Sequence, residues 1–303
     1  MVRVDAVAIG STSGSATVLE NIIRFSCKQV SPEGVLVEPI PVINNVQPAT
    51  AESRNKHWEI ELELDSDNLT VFRGIAVNTD PLSRVLSDVN RNSAIGYFLV
   101  AGVDTAGNNV SYSFETLKTW LSFHRGHVSS APNVARHPSL YRFICTGTRT
   151  VGSLNISGTD TTGERYVRIN SVTVNGLPAT NVLTYDWELV GATGTNILNA
   201  RHSPGSYQAL GVSEPSGKHW AFRLVFDSNT DIFNNYIKED VANPVIGSAI
   251  VVSLQKTDGS ARLHTYHTSK CYISGNAPSS ITEKNIYNPG ALEFICIGTR
   301  VDS

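Results

Sequence analysis

His57-Trp58-Glu59-Ile60-Glu61-Leu62-Glu63-Leu64 alternates apolar and charged side chains over most of its length. Side chains on a β-strand point to opposite faces in turn. The stretch therefore reads as a half-buried strand, with Trp58, Ile60, Leu62 and Leu64 inward and the three glutamates outward. A second stretch, His219-Trp220-Ala221-Phe222-Arg223-Leu224-Val225-Phe226, alternates in the same way through Trp220, Phe222, Leu224 and Phe226. Each is preceded by a glutamate and a lysine at matching distances (Glu52 and Lys56; Glu214 and Lys218) and followed by Asp-Ser (Asp65-Ser66; Asp227-Ser228).

Working outward from these strands, further anchors recur in the same order. Val2-Arg3-Val4 matches Val167-Arg168-Ile169. Phe114, Lys118 and Trp120 match Tyr266, Lys270 and Tyr272. Phe143-Ile144-Cys145 with Gly147-Thr148-Arg149 matches Phe294-Ile295-Cys296 with Gly298-Thr299-Arg300. Self-similarity of this kind marks a repeated unit. The expectation is two similar domains, residues 1–152 and 165–303, joined by a Gly/Thr-rich linker at 153–164.

Within each half the order reads strand, strand, long loop, strand, helix, strand, strand, strand. Asp80 and Pro81 suit a helix start, and Leu82, Val85, Leu86 and Val89 form one helical stripe. Ile232, Phe233, Tyr236 and Ile237 offer a shorter version. Asp104 to Asn108 and Thr257 to Ser260 carry the Asp and Gly of hairpin turns. The fold class expected is mainly β: two tandem β-sandwich or barrel domains, each with one short flanking helix. Trp58, Trp220, Phe143 and Phe294 are the expected core anchors.

Composition narrows the function. The 303 residues are 41% hydrophobic and 17% charged, with a net charge of −3. No basic cluster marks a nucleic-acid surface, and no apolar run is long enough to span a bilayer. No secretion signal follows Met1. Four cysteines do not make a disulfide framework; Cys145 and Cys296, each inside an apolar strand pattern, are expected as free buried thiols.

Candidate chemistry is sparse. There is no Gly-x-Ser-x-Gly elbow, P-loop or Gly-x-Gly-x-x-Gly. His124 with His127, and His264 with His267, are spaced by three; on a strand that spacing sends the His264 and His267 rings to opposite faces and away from a shared metal. Asp65 and Asp67, and Asp227 and Asp231, could hold a cation or simply form turns. Arg149 and Arg300, ending the last strand of each half, suit pairing with a carboxylate on an adjoining domain or subunit. No catalytic residue, cofactor or metal is expected.

The order of elements in both halves resembles the tail tube proteins of long-tailed viruses. In that family a β-sandwich with one flanking helix stacks in hexameric rings, long loops reach the next ring, and duplicated members form trimeric rings. No residue-level pattern comes with the resemblance. It implies a virion subunit that partners copies of itself and other virion proteins, meets DNA only in passage and enters no membrane. The loops Ser31 to Lys56 and Gly191 to Lys218 exceed ordinary hairpin length. Val35, Leu36, Val37, Ile40 and Val42 in the first are too apolar for a disordered linker, so they join Arg149 and Arg300 as candidate assembly residues. Glu59, Glu61 and Glu63 suggest a weakly acidic channel wall. The alternatives are a capsid-decorating or extracellular filament protein, or a tandem sandwich that binds carbohydrate or protein through exposed aromatics, with Trp120, Tyr141, Tyr185 and Tyr207 as the candidates.

Overall fold

The computed structural model describes residues 1–10, 12–30, 35–37, 50–52, 56–68, 95–116, 118–130, 137–156, 158, 163–174, 176–191, 196–198, 211–213, 217–226, 245–246, 249–267, 270–277 and 290–303. Both candidate helices, and with them Asp80 to Val89 and Ile232 to Ile237, lie outside these residues. So do Ile40, Val42, Tyr207, Asp227 and Asp231.

The first half contains β1 (Arg3–Gly10), β2 (Thr17–Leu19), β3 (Ile22–Val30), β4 (Val35–Val37), β5 (Thr50–Glu52), β6 (His57–Leu64), β7 (Tyr97–Val103), β8 (Asn109–Phe114), β9 (Thr119–Ser129), β10 (Ser139–Cys145) and β11 (Arg149–Gly152). The second contains β12 (Tyr166–Val174), β13 (Leu177–Ala179), β14 (Val182–Val190), β15 (Asn196–Leu198), β16 (Gly211–Ser213), β17 (His219–Phe226), β18 (Val245–Ile246), β19 (Ile250–Lys256), β20 (Ala261–Tyr266), β21 (Cys271–Ala277), β22 (Gly290–Cys296) and β23 (Arg300–Asp302). The molecule is mainly β, and its sheets are antiparallel.

The strand order of the first half recurs in the second. One five-stranded sheet runs β11-β8-β7-β1-β2, and another runs β23-β20-β19-β12-β13. Opposite them lies a nine-stranded sheet, β18-β21-β22-β17-β14-β9-β10-β6-β3. Its first-half portion, β9-β10-β6-β3, matches β21-β22-β17-β14. Irregularities recur as well: the register slips between Ile22 and Arg24 in β3 and between Val182 and Thr184 in β14. Each long loop carries a small hairpin, β4 with β5 and β15 with β16.

The alternation of β6 and β17 buries the expected side chains. Ile60, Leu62, Leu64, Trp220, Phe222, Leu224 and Phe226 line the core between the sheets, while Trp58 is only half-buried. Phe143 and Phe294 are buried as expected; Phe143 packs edge-on against Phe98 and Phe294 stacks on Phe222. One hydrophobic core runs through both halves without a break.

Two stretches are each divided between sheets. Val18 to Val30 becomes β2 and β3, and Val110 to Phe123 becomes β8 and β9. The second division is a corner fixed by Glu115, whose carboxylate accepts from the Thr148 backbone N–H (2.8 Å) and hydroxyl (3.1 Å). A Cβ on Gly147 would stand 2.6 Å from Glu115 Cβ, and one on Gly298 2.5 Å from His267 Cβ. The repeated Gly-Thr-Arg is therefore a corner signature, with the glycine demanded by close approach.

Candidate functional site, the joint between the halves

The two portions of the nine-stranded sheet meet where β14 pairs with β9, Thr184 opposite Ser129 through to Leu189 opposite His124. Beyond the ladder, Ser130 N–H donates to the Leu183 carbonyl (2.7 Å) and Ile169 N–H donates to Ser130 Oγ (2.9 Å). His137 Nδ1 accepts from Ser129 N–H (3.2 Å), which leaves Nε2 to donate to the Val167 carbonyl (3.2 Å). Burial holds this histidine below its ordinary pKa. Trp187 lies over the backbone of Gly126, where a Cβ would come within 2.0 Å of the indole.

Behind the ladder sits a buried polar cluster drawn from both halves. Arg300 Nη2 donates to Asp302 Oδ2 (3.0 Å) and Nε lies 2.7 Å from Oδ1 in the same ion pair, and its guanidinium stands 4.2 Å from the Trp220 ring centroid. The Tyr185 hydroxyl meets Tyr266 (2.5 Å) and His264 Nδ1 (3.1 Å). From the first half, Asp67 accepts from the Tyr141 hydroxyl (2.8 Å) and lies 3.5 Å from His124 Nε2. Burial alone would raise the Asp67 pKa, but the His124 hydrogen bond and the positive charges of His124 and Arg300 hold it well below the carboxylate range. Burial and the Arg300 charge push His264 down to about 3, so it is neutral. Burial raises the phenols of Tyr141, Tyr166 and Tyr185. Every group here is enclosed: the cluster binds the halves to each other.

The expected site residues fall in different places. Arg300 is 4% exposed, and Asp302, two residues along its own strand, pairs with it. Arg149 is partly exposed; its guanidinium lies between the rings of Trp58 (4.1 Å) and Tyr112 (4.3 Å), and donates to Cys27 Sγ (3.1 Å). Val35, Leu36 and Val37 form β4 of the arm hairpin. His124 is buried while His127 turns to the other face and meets Asp186 (2.6 Å). All four cysteines are free thiols, and Cys145 and Cys296 are buried. Among the described residues, no group of three His, Cys, Asp or Glu could hold a metal, and no helix is long and apolar enough to cross a membrane. Tyr141 and Tyr185 are buried in the cluster, and Trp120 is covered.

Sequence reasoning missed the joint itself. The signal was an imbalance inside the repeat. Matching register against β6 and β17 puts Phe25, Cys27 and Gln29 of β3 where β14 has Tyr185, Trp187 and Leu189. The second half is loaded with large side chains because that strand is covered.

The first half keeps the same position open. Among the described residues nothing pairs with the outer edge of β3. Phe25 and Cys27 are half-buried and Gln29 is exposed, whereas Tyr185, Trp187 and Leu189 are fully buried. A groove of about 580 Å³ runs beside this edge, lined by Met1, Val4, Phe25, Cys27, Tyr112 and Arg149 among others. Exposed Val2 (65%), Ile23 (39%) and Val151 (59%) stand at its rim or close to it.

No known protein family and no curated protein matches this sequence.

On the outward face of the long sheet the glutamates meet basic side chains. Glu61 pairs with Arg24 and Arg142, Glu63 with Arg24, and Glu59 with Lys28. Arg223 with Glu293 continues the pattern across the second half. On this face the second arm also crosses the joint: Val212 of β16 packs on Trp120 and Ile144, which face each other on β9 and β10.

Proposed function

We propose that this chain is a structural subunit that assembles with copies of itself into rings around a channel, as in a virion tail tube. The observation that carries the reading is the head-to-tail joint. One half adds to the other through unlike edges of one sheet, and the far end of the first half still presents the edge that the second half has used. A contact between unlike surfaces repeats from copy to copy and closes into a ring, or continues as a filament. Three copies would give the six-fold pseudo-symmetry that a pair of fused, related domains suits.

The competing reading, a binding module, needs exposed aromatics around a concavity. Trp120, Tyr141 and Tyr185 are instead buried. In the assembled form the outward face of the long sheet would line the channel, where its paired charges give passing DNA neither strong attraction nor strong repulsion. Electron microscopy of the concentrated protein tests the reading. The expected result is annular particles or tubes with an axial channel; dispersed single chains at every concentration and ionic strength would overturn it.

A further inference from the structure

We infer that the open β3 edge, the Arg149 groove and the β4–β5 arm together form the docking surface for the β21–β22 end of a second copy. The inference rests on the self-assembly reading and names the contact that would carry it. The joint already formed within the chain is the template for this contact.

Three features of that joint have open counterparts. The first is the edge. Transferring the register of β14 on β9 to β3 and β21 places Gln29 opposite Asn276 and Lys28 opposite Ala277, since the slip in β9 opposite Arg142 and Phe143 recurs in β21 opposite Glu293 and Phe294. The short β18 pairs only with Cys271 and Tyr272, as Ile95 does with Thr119 in the first half, and leaves the Asn276 end of β21 open among the described residues. The second is the groove. Arg149 occupies the place of Arg300 but has Val151 where Arg300 has Asp302, so the carboxylate that meets Arg300 two residues along its strand is replaced by an exposed apolar side chain. The third is the arm. The second-half arm covers Trp120 and Ile144 of the preceding half, to 6% and 9% exposure. Their counterparts Tyr272 and Ile295 also face each other, and both are half-buried. The β4–β5 arm of a neighbouring copy is the matching cover.

A second copy fits better than any other occupant, because a protein edge of this sequence already fills the equivalent place in cis. Backbone pairing would supply the affinity, as in other strand additions to exposed edges, while the register and the arm supply specificity.

The test is cross-linking in the full chain with Cys27→Ser as background. Lys28→Cys with Ala277→Cys should give a ladder of covalent oligomers on mild oxidation. Ser26→Cys with Ala277→Cys, two residues out of register, should give little. In the otherwise native chain, maleimide labelling of Cys27 should be lost as concentration drives assembly, and deletion of residues 34–52 should restore it while leaving the circular dichroism of the monomer intact. Annular particles without the in-register ladder, and with Cys27 still reactive, would overturn this docking surface while leaving self-assembly standing. Single chains throughout would overturn both.

Discussion

His264 shows how a residue can be held in one protonation state by what surrounds it. It is fully enclosed by Tyr166, Tyr185 and Trp187, with Arg300 nearby. Its folded pKa of about 3 lies below the ordinary 6.5. Between those values the unfolded chain binds the proton and the folded chain does not, so stability is present above pH 6.5 and is lost as pH falls toward 3. Urea unfolding from pH 7 to pH 4 should therefore show a falling midpoint. His264→Gln, which keeps an acceptor for Tyr185, should flatten that slope; an unchanged slope would remove His264 as its source. Asp67, held low in the same cluster, adds its loss only below its ordinary value of 3.8. Little in the order of residues announces this cluster. His264 was visible as one of a pair three residues apart, and the strand period placed it on the opposite face from His267. That its neighbours would be Tyr185, Tyr266 and Arg300 depends on strands far away in the chain.

At the scale of elements, alternation is local and therefore legible, while sheet membership is not. The pattern of β6 and β17 named its own buried residues. The hairpins β7–β8 and β19–β20 were announced by turns whose Asp104 and Asp258 carboxylates accept nearby backbone N–H groups. Val110 to Phe123 carries apolar residues through both of its parts, β8 and β9. The break between them is set by Glu115 reaching Thr148, a contact of remote residues. The joint between β9 and β14 has a comparable hidden requirement at Gly126. A methyl group there has no room against Trp187, which is 2% exposed and cannot swing away. Gly126→Ala should cost about 1–3 kcal/mol, the usual range for overpacking a core. Chemical denaturation measures it, and a neutral effect would mean that the indole does not pin the two strands.

The whole molecule is two sandwiches that share one sheet. Related halves packed face to face about a two-fold axis would bury like against like and stop there. Here the halves are joined edge to unlike edge, so among the described residues the same arrangement leaves one of each edge at the ends of the long sheet. The strand order that recurs in the second half has sequence anchors that recur in the same order. The direction of the joint was not legible in the sequence, because it is decided by which edge strands meet. Native mass spectrometry of the concentrated protein addresses this most directly, each chain contributing 32.8 kDa. Head-to-tail addition predicts that dimers appear only as intermediates on the way to a closed ring of three or more chains, or to an open series. A dimer that accumulates and grows no further, or a monomer at all concentrations, would contradict it.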